Sequence, residues 1–282
     1  MAHCPQPPRT EQLGQSKHEL AALLKDLRKR AGLSGDRLAK RCSMSQSKIS
    51  RIENGKVRPS LLDVESILRA VEAPSGIVAE VTTLARIANT EWQDIRSLRK
   101  RGLDKKQQEL AALEASTTEF RFFLLSMITG LLSTPEYIRG SLAHSPVDTS
   151  KTVARKLERQ QILYDTTKRF TFILTEQAVR WPLVAPSVMA VQIDRLASLT
   201  YLPNVRLGVI PIGGHMPIAP MDTFTIYDET LATVENTTGI VIHRDSRDIA
   251  AHLELFCTLE SYALYEEEAR ERLAKWASQY RS

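Results

Sequence analysis

The densest group of side chains able to make specific polar contacts lies in the stretch SQSKISRIENGKVRP, Ser45 to Pro59. Gln46 carries an amide that can bond adenine at two points, and Arg51 a guanidinium that can do the same with guanine. Ser47, Lys48 and Ser50 add smaller or extended donors, so the chemistry on offer is the reading of base edges in the major groove of double-stranded DNA. At about 100° per residue, with Ile49 and Ile52 turned inward, the outward side of a helix here centres on Ser47, Ser50 and Arg51, flanked by Gln46 and Lys48. Ser45 at the helix start, Arg37 ahead of it, and Lys56 and Arg58 behind it are placed to hold phosphates, which set docking register without reading sequence. The expected base-contacting set is Gln46, Ser47, Lys48, Ser50 and Arg51; the expected phosphate-contacting set is Ser45, Arg37, Lys56 and Arg58. Taken singly, each of these residues fits an ordinary solvated helix face. The ordered combination of caps, inward apolar positions and cations is what points to nucleic acid.

Charge distribution supports that reading. The chain carries a net charge of +5. Between Lys17 and Arg58 it has twelve Lys and Arg against Glu19, Asp26, Asp36 and Glu53, an excess of eight; since Arg9 and Glu11 cancel, everything after Arg58 sums to −3. The basic excess belongs to one small region, as expected of a surface that meets phosphates.

The elements that must hold these residues are short helices. Leu20, Leu23, Leu24 and Leu27 follow 3–4 spacing from His18, and Gly32 stops that helix. Ser34 caps a second helix with Leu38, Ala39 and Cys42. Ser45 caps a third, Gln46 to Glu53, which ends at Asn54-Gly55. Ser60 caps a fourth with Leu61, Val64, Ile67, Leu68 and Val71 inside, and Pro74 opens a fifth to about Ala88. The expected organisation is a flexible tail at 1–16, a five-helix all-α helix-turn-helix domain at 17–89, and an α+β domain at 90–282. In the latter, a helix around Lys105 to Thr118 precedes strands at Phe120 to Met127, Phe170 to Leu174, Val205 to Pro211, Thr223 to Tyr227, Leu231 to Val234 and Ile240 to Ile242. Helices are expected near Val153 to Tyr164 and Ser187 to Leu199, with one long amphipathic helix closing the chain. A length of 282 residues fits two domains.

Through LAKRCSMSQSKISRIENGKVRPS, and most specifically the I-E-N-G-x-x-x-P element at Ile52 to Pro59, the sequence resembles the Xre-type family of helix-turn-helix regulators. It has Ser43 where that family usually has a turn glycine, and Gly35 where a glutamine often opens the second helix. The remainder is similar to the C-terminal, antitoxin-like domain of WhiJ-like actinobacterial regulators. That likeness is carried by Trp92, ITGLLSTPEYIRG (Ile128 to Gly140), RQQIL (Arg159 to Leu163), LTEQAVR (Leu174 to Arg180) and VIPIGGHMPIAPMDTF (Val209 to Phe224). The resemblance implies a developmental or stress transcription factor with a small partner protein encoded nearby. Two roles remain open for the second domain: sensing a ligand or partner to adjust DNA binding, or neutralising the partner while DNA binding serves autoregulation. A homodimer is expected, because one recognition helix alone reads few base pairs.

Other chemistries are not expected. His243-Arg244-Asp245 matches a kinase catalytic tripeptide, but Ala250 stands where the metal-holding Asn belongs and no Gly-rich loop accompanies it, so a surface turn is the expected role. Gly213-Gly214-His215 lacks the Lys or Ser of a phosphate loop. His144, His215, His243 and His252 have no metal spacing, and Cys4, Cys42 and Cys257 form no CxxC pair, so no metal, cofactor or catalytic residue is expected. The longest apolar stretch, Phe120 to Leu132, is interrupted by Arg121 and Ser126 and too short to span a bilayer, and the N-terminus lacks the order of a secretory signal. The expected location is the cytoplasm, at the nucleoid when bound to DNA.

Overall fold

The computed structural model describes residues 10–94, 103–145, 148–237 and 239–281. The chain forms two compact units: the first takes the residues through Asp94 together with Val241–Asp248, and the second takes Ile95–Ile240 and Ile249–Ser282. The fold class expected from sequence is the one observed, a helical head followed by an α+β region.

In the first unit, α1 (Thr10–Arg30), α2 (Gly35–Arg41), α3 (Gln46–Glu53), α4 (Leu61–Ala70) and α5 (Ser75–Asn89) follow one another, and a short strand β1 (Thr90–Asp94) comes next. Helix α1 starts at Thr10, ahead of the periodic leucines, so part of the expected tail is helical, while residues 1–9 lie outside the described residues. The core is aliphatic: Leu20, Leu24, Leu38, Ile49, Ile52, Val64 and Ile67 are each at most 1% exposed. Ser34, Ser45 and Ser60 cap α2, α3 and α4 as their positions predict, each accepting from the backbone N–H three residues on.

Four helix ends share one device. Gly32, Ser43, Gly55 and Glu72 each adopt a positive φ, between 50° and 66°, one residue past the helix cap. After α2, for example, Ser43 N–H donates to Lys40 O at 3.3 Å and Met44 N–H to Ala39 O at 2.9 Å, which satisfies carbonyls the helix leaves open. Glycine reaches this conformation without penalty; Ser43 and Glu72 hold it against a steric cost of roughly 1–2 kcal/mol. The turn between α2 and α3 thus keeps the left-handed geometry although its residue is serine.

The second unit is built on five strands in the order β6-β5-β2-β3-β4. These are β2 (Glu119–Leu124), β3 (Arg169–Thr175), β4 (Val205–Ile210), β5 (Thr223–Tyr227) and β6 (Leu231–Glu235). Strands β2, β3 and β4 run parallel, while β5 and β6 add antiparallel pairs. In the β2–β3 register, Phe120 stands beside Phe170 and Phe122 beside Phe172, with ring centroids 4.6 and 4.7 Å apart. The helices are α6 (Leu103–Ser116), α7 (Pro135–Ser141), α8 (Ser150–Arg159), continued by a 3-10 turn (Gln160–Tyr164), α9 (Glu176–Arg180) and α10 (Pro186–Leu199). Strand β7 (Gly239–His243) is a neighbour of β1.

The end of the chain also departs from expectation. The closing helix is two helices, α11 (Ser246–Glu260) and α12 (Glu266–Ser278). Between them Leu264 leaves the helical path to exchange backbone hydrogen bonds with Val209 at 3.0 and 2.9 Å, and so extends the free edge of β4. Pairing of an open sheet edge outweighs helical continuity there, and local periodicity carries no sign of it. Among the described residues no helix is long and apolar enough to cross a membrane, and no group of three His, Cys, Asp or Glu could hold a metal ion.

Candidate nucleic-acid interface

Helix α3 is two turns long and has two distinct sides. Ile49 and Ile52 are 1% and 0% exposed, whereas Gln46, Ser47 and Arg51 are exposed and Ser50 is partly so. The α2–α3 turn brings the two helix starts together: a β-carbon at Gly35 would stand 3.7 Å from Gln46 Nε2. Arg37, in the first turn of α2, is exposed, and its backbone N–H donates to the Ser34 cap at 3.2 Å. Among the described residues the exposed Gln46 amide has no hydrogen-bond partner, which leaves its donor and acceptor pair outward.

The helix is pinned from behind by a side-chain pair that sequence patterning does not reveal. Arg28 of α1 makes a two-point contact with Glu53 at the end of α3, Nε to Oε1 at 2.6 Å and a terminal nitrogen to Oε2 at 2.9 Å, and also donates to Leu33 O at 2.8 Å. The two side chains are 14% and 7% exposed, so the pair is largely withdrawn from water. The Glu53 carboxylate pushes the Arg28 pKa up, which keeps the guanidinium charged. The only signal in the sequence is the acid at the end of a helix whose neighbours are basic.

The expected site residues fall into three groups. Gln46, Ser47 and Arg51 share the outward face; Arg51 Nε donates to Ser47 O at 3.3 Å, so the guanidinium lies back along its own helix. Ser50 sits with them, and Asn54 Nδ2 donates to its carbonyl at 2.8 Å, a contact that tightens the last turn of α3. Lys48, on a flank of the face, has its ammonium 2.7 Å from Asp63 Oδ1 in the first turn of α4, an ion pair within the unit. Asp63 is also half of the Ser60 capping box, accepting from Ser60 N–H at 3.1 Å. Periodicity placed Lys48 on a flank of the face correctly, but only the fold shows an acid opposite it. Ser45 is the α3 cap, with its hydroxyl 3.2 Å from Lys48 N and 3.1 Å from Ser47 Oγ. Lys56 is exposed just past Gly55, and Arg58 is partly buried two residues on. The Lys56 N–H donates to Arg51 O at 2.8 Å, which fixes that end of the loop to the helix.

Behind the interface, Arg41 donates to Ala70 O at 2.8 Å and the Cys42 thiol to Ser66 O at 3.5 Å, both tying α2 to α4. Burial pushes the Cys42 thiol pKa up. The arrangement is therefore a short, outward helix with amide, hydroxyl and guanidinium groups at its front and a rigid support at its back. Such a helix can enter a major groove.

In comparisons with known proteins, residues 19–81 match a helix-turn-helix domain and residues 107–275 match the family described as a domain of unknown function, DUF5753. No curated protein matches. A phospholipase D family member, Nuc from Salmonella typhimurium, is similar at 10% identity and a TM-score of 0.38, covering 63% of this chain and 97% of that one. NucT from Helicobacter pylori gives 10% identity and 0.36, covering 63% and 98%. TrmBL2, an archaeal chromatin protein, gives 12% and 0.32, covering 72% and 65%.

Proposed function

The chain belongs to the family of the domain of unknown function DUF5753 and carries a helix-turn-helix domain ahead of it, and from that premise we propose that it is a sequence-specific, DNA-binding transcriptional regulator. The observation that carries the reading is the outward face of α3, Gln46, Ser47 and Arg51, held by buried Ile49 and Ile52 and by the Arg28–Glu53 pair. In this reading Gln46 and Arg51 select bases, while Ser45, Arg37, Lys56 and Arg58 meet phosphates. Lys48 acts from behind, through Asp63, rather than on a base. The regulator works as a homodimer, since an eight-residue helix reaches only a few base pairs and paired half-sites supply the rest.

The α+β unit is the sensing part, and the action is binding without a bond-making step. A cleft of about 430 Å³ in that unit, lined by Glu114, Arg155, Glu158, Arg159, Ile162 and Lys168, is the candidate place for a small effector.

Genome-wide mapping of occupied sites, followed by titration of the full-length protein on a recovered duplex and on a random one at several salt concentrations, tests the proposal. The expected result is salt-dependent binding with a preference of at least about a thousandfold for the recovered duplex. Absence of salt-sensitive attachment to any native duplex would overturn it. Recovery of a free dimer from the host supports the sensing role, whereas a small protein at equal amount identifies a protein effector.

A further inference from the structure

The tripeptide His243-Arg244-Asp245, expected from sequence to be a surface turn, holds a buried carboxylate instead. Asp245 is 2% exposed. Its Oδ2 accepts from the backbone N–H of Leu61 at 3.2 Å, across 184 residues of sequence, and its Oδ1 accepts from Arg247 N–H at 3.0 Å. Arg247 in turn places a guanidinium nitrogen 2.7 Å from Glu65 Oε1. All four residues belong to the first unit, to which Val241–Asp248 is the late-sequence contribution.

The chemistry of the tie follows from the helix it meets. Leu61 is the first residue of α4, and its N–H is one of the amides a helix leaves unpaired. The Ser60 hydroxyl serves Asp63 N–H, and the Asp245 carboxylate serves Leu61 N–H at the positive end of the helix dipole. Asp63, in the same turn, holds Lys48 of α3 at 2.7 Å. Two carboxylates therefore join the 241–248 segment to the first turn of α4, and that turn to α3. Two amide donors, the dipole and Arg247 Nε at 3.8 Å oppose the cost of burying the Asp245 carboxylate.

We propose that Asp245, supported by Arg247, is a positioning residue for DNA reading: a clasp by which a segment inside the DUF5753 match sets the orientation of α3 through α4, Asp63 and Lys48. The inference rests on the reading of α3 as the DNA-reading helix. Asp245 immediately precedes α11 (Ser246–Glu260), and Ser246–Asp248 are its first turn, so a signal that draws this helix away releases α4 and loosens the seating of α3 in the groove.

The test uses the full-length protein with Asp245→Asn, Arg247→Ala, Asp63→Asn and the Asp245→Asn/Asp63→Asn pair, titrated on the duplex recovered by occupancy mapping and on a random duplex of equal length. Circular dichroism confirms folding at the working temperature. The clasp predicts that each Asp single variant loses about fivefold or more in affinity for the recovered duplex while random-duplex affinity is unchanged. It predicts further that the double variant loses no more than the worse single one, because both act on one path. Folded Asp245→Asn and Arg247→Ala proteins that bind the recovered duplex within about twofold of wild type overturn this inference alone, as do fully additive Asp losses. A wild-type protein that binds no duplex overturns both this inference and the proposed function.

Discussion

The head and the α+β unit differ in the cations they leave available. In the head, Arg37, Arg51 and Lys56 are exposed and meet no carboxylate among the described residues. In the second unit, Arg159 is matched by Glu114, Arg180 by Glu176, Arg206 by Glu260, Arg281 by Asp194 and Arg270 by Glu267. Lys168 spends its ammonium on the carbonyls of Glu114, Ala115 and Thr117 at the end of α6, at 2.6 to 3.1 Å. These cations of the second unit are engaged by their own fold, whereas Arg37, Arg51 and Lys56 of the head remain available to something outside. The head also has internal pairs, Arg28 with Glu53 behind α3, Lys48 with Asp63, and Arg30 with Asp26 at the surface.

That contrast can be broken at five places, in decreasing order of effect. Arg159→Ala leaves Glu114, 2% exposed, as a buried charge without its bidentate partner, and should cost about 4 kcal/mol of stability by urea unfolding with no change in the salt slope of DNA binding. Arg28→Ala should cost about 3 kcal/mol by the same measurement, and, because the pair supports α3, it should also weaken the recovered duplex more than a random one. Arg51→Ala should cost about 1–3 kcal/mol at the recovered duplex and relax preference at one base position, read by titration on a panel of single-base variants. Equal losses on specific and random DNA would move Arg51 to the phosphate group. Ser43→Gly removes a side chain from a φ of 54° and should raise stability by about 1 kcal/mol, seen as a higher melting temperature with DNA affinity retained. Lys56→Ala should weaken all duplexes alike by less than about 1 kcal/mol and flatten the salt slope by about one unit.

Much of this was legible along the chain. The caps Ser34, Ser45 and Ser60, the stops at Gly32 and Gly55 and the inward pair Ile49 and Ile52 are local signals, because capping and helical periodicity act over three or four residues. The strands at Phe170, Val205 and Thr223 were equally visible from their runs of β-branched and aromatic residues. Lys48 was harder: its position on the face was readable, its partner Asp63 was not, since ion pairing across helices depends on a crossing that periodicity does not encode. The short helices α7 and α9 escaped for a related reason, being seven and five residues long, too few to show a period. The split of the closing helix at Leu264 depends on an edge strand more than fifty residues earlier.

By itself, then, the amino-acid sequence determined the helical head, the outward set on α3 and the confinement of basic excess to that head, because these follow from side-chain type and short-range spacing. Only the tertiary structure decided which charges stay available, that Arg28 grips Glu53, that Lys48 is taken by Asp63, and that Asp245 arrives from far along the chain to meet Leu61. Those outcomes depend on long-range approach, where burial and the geometry of two separately formed elements set which partner a charge finds.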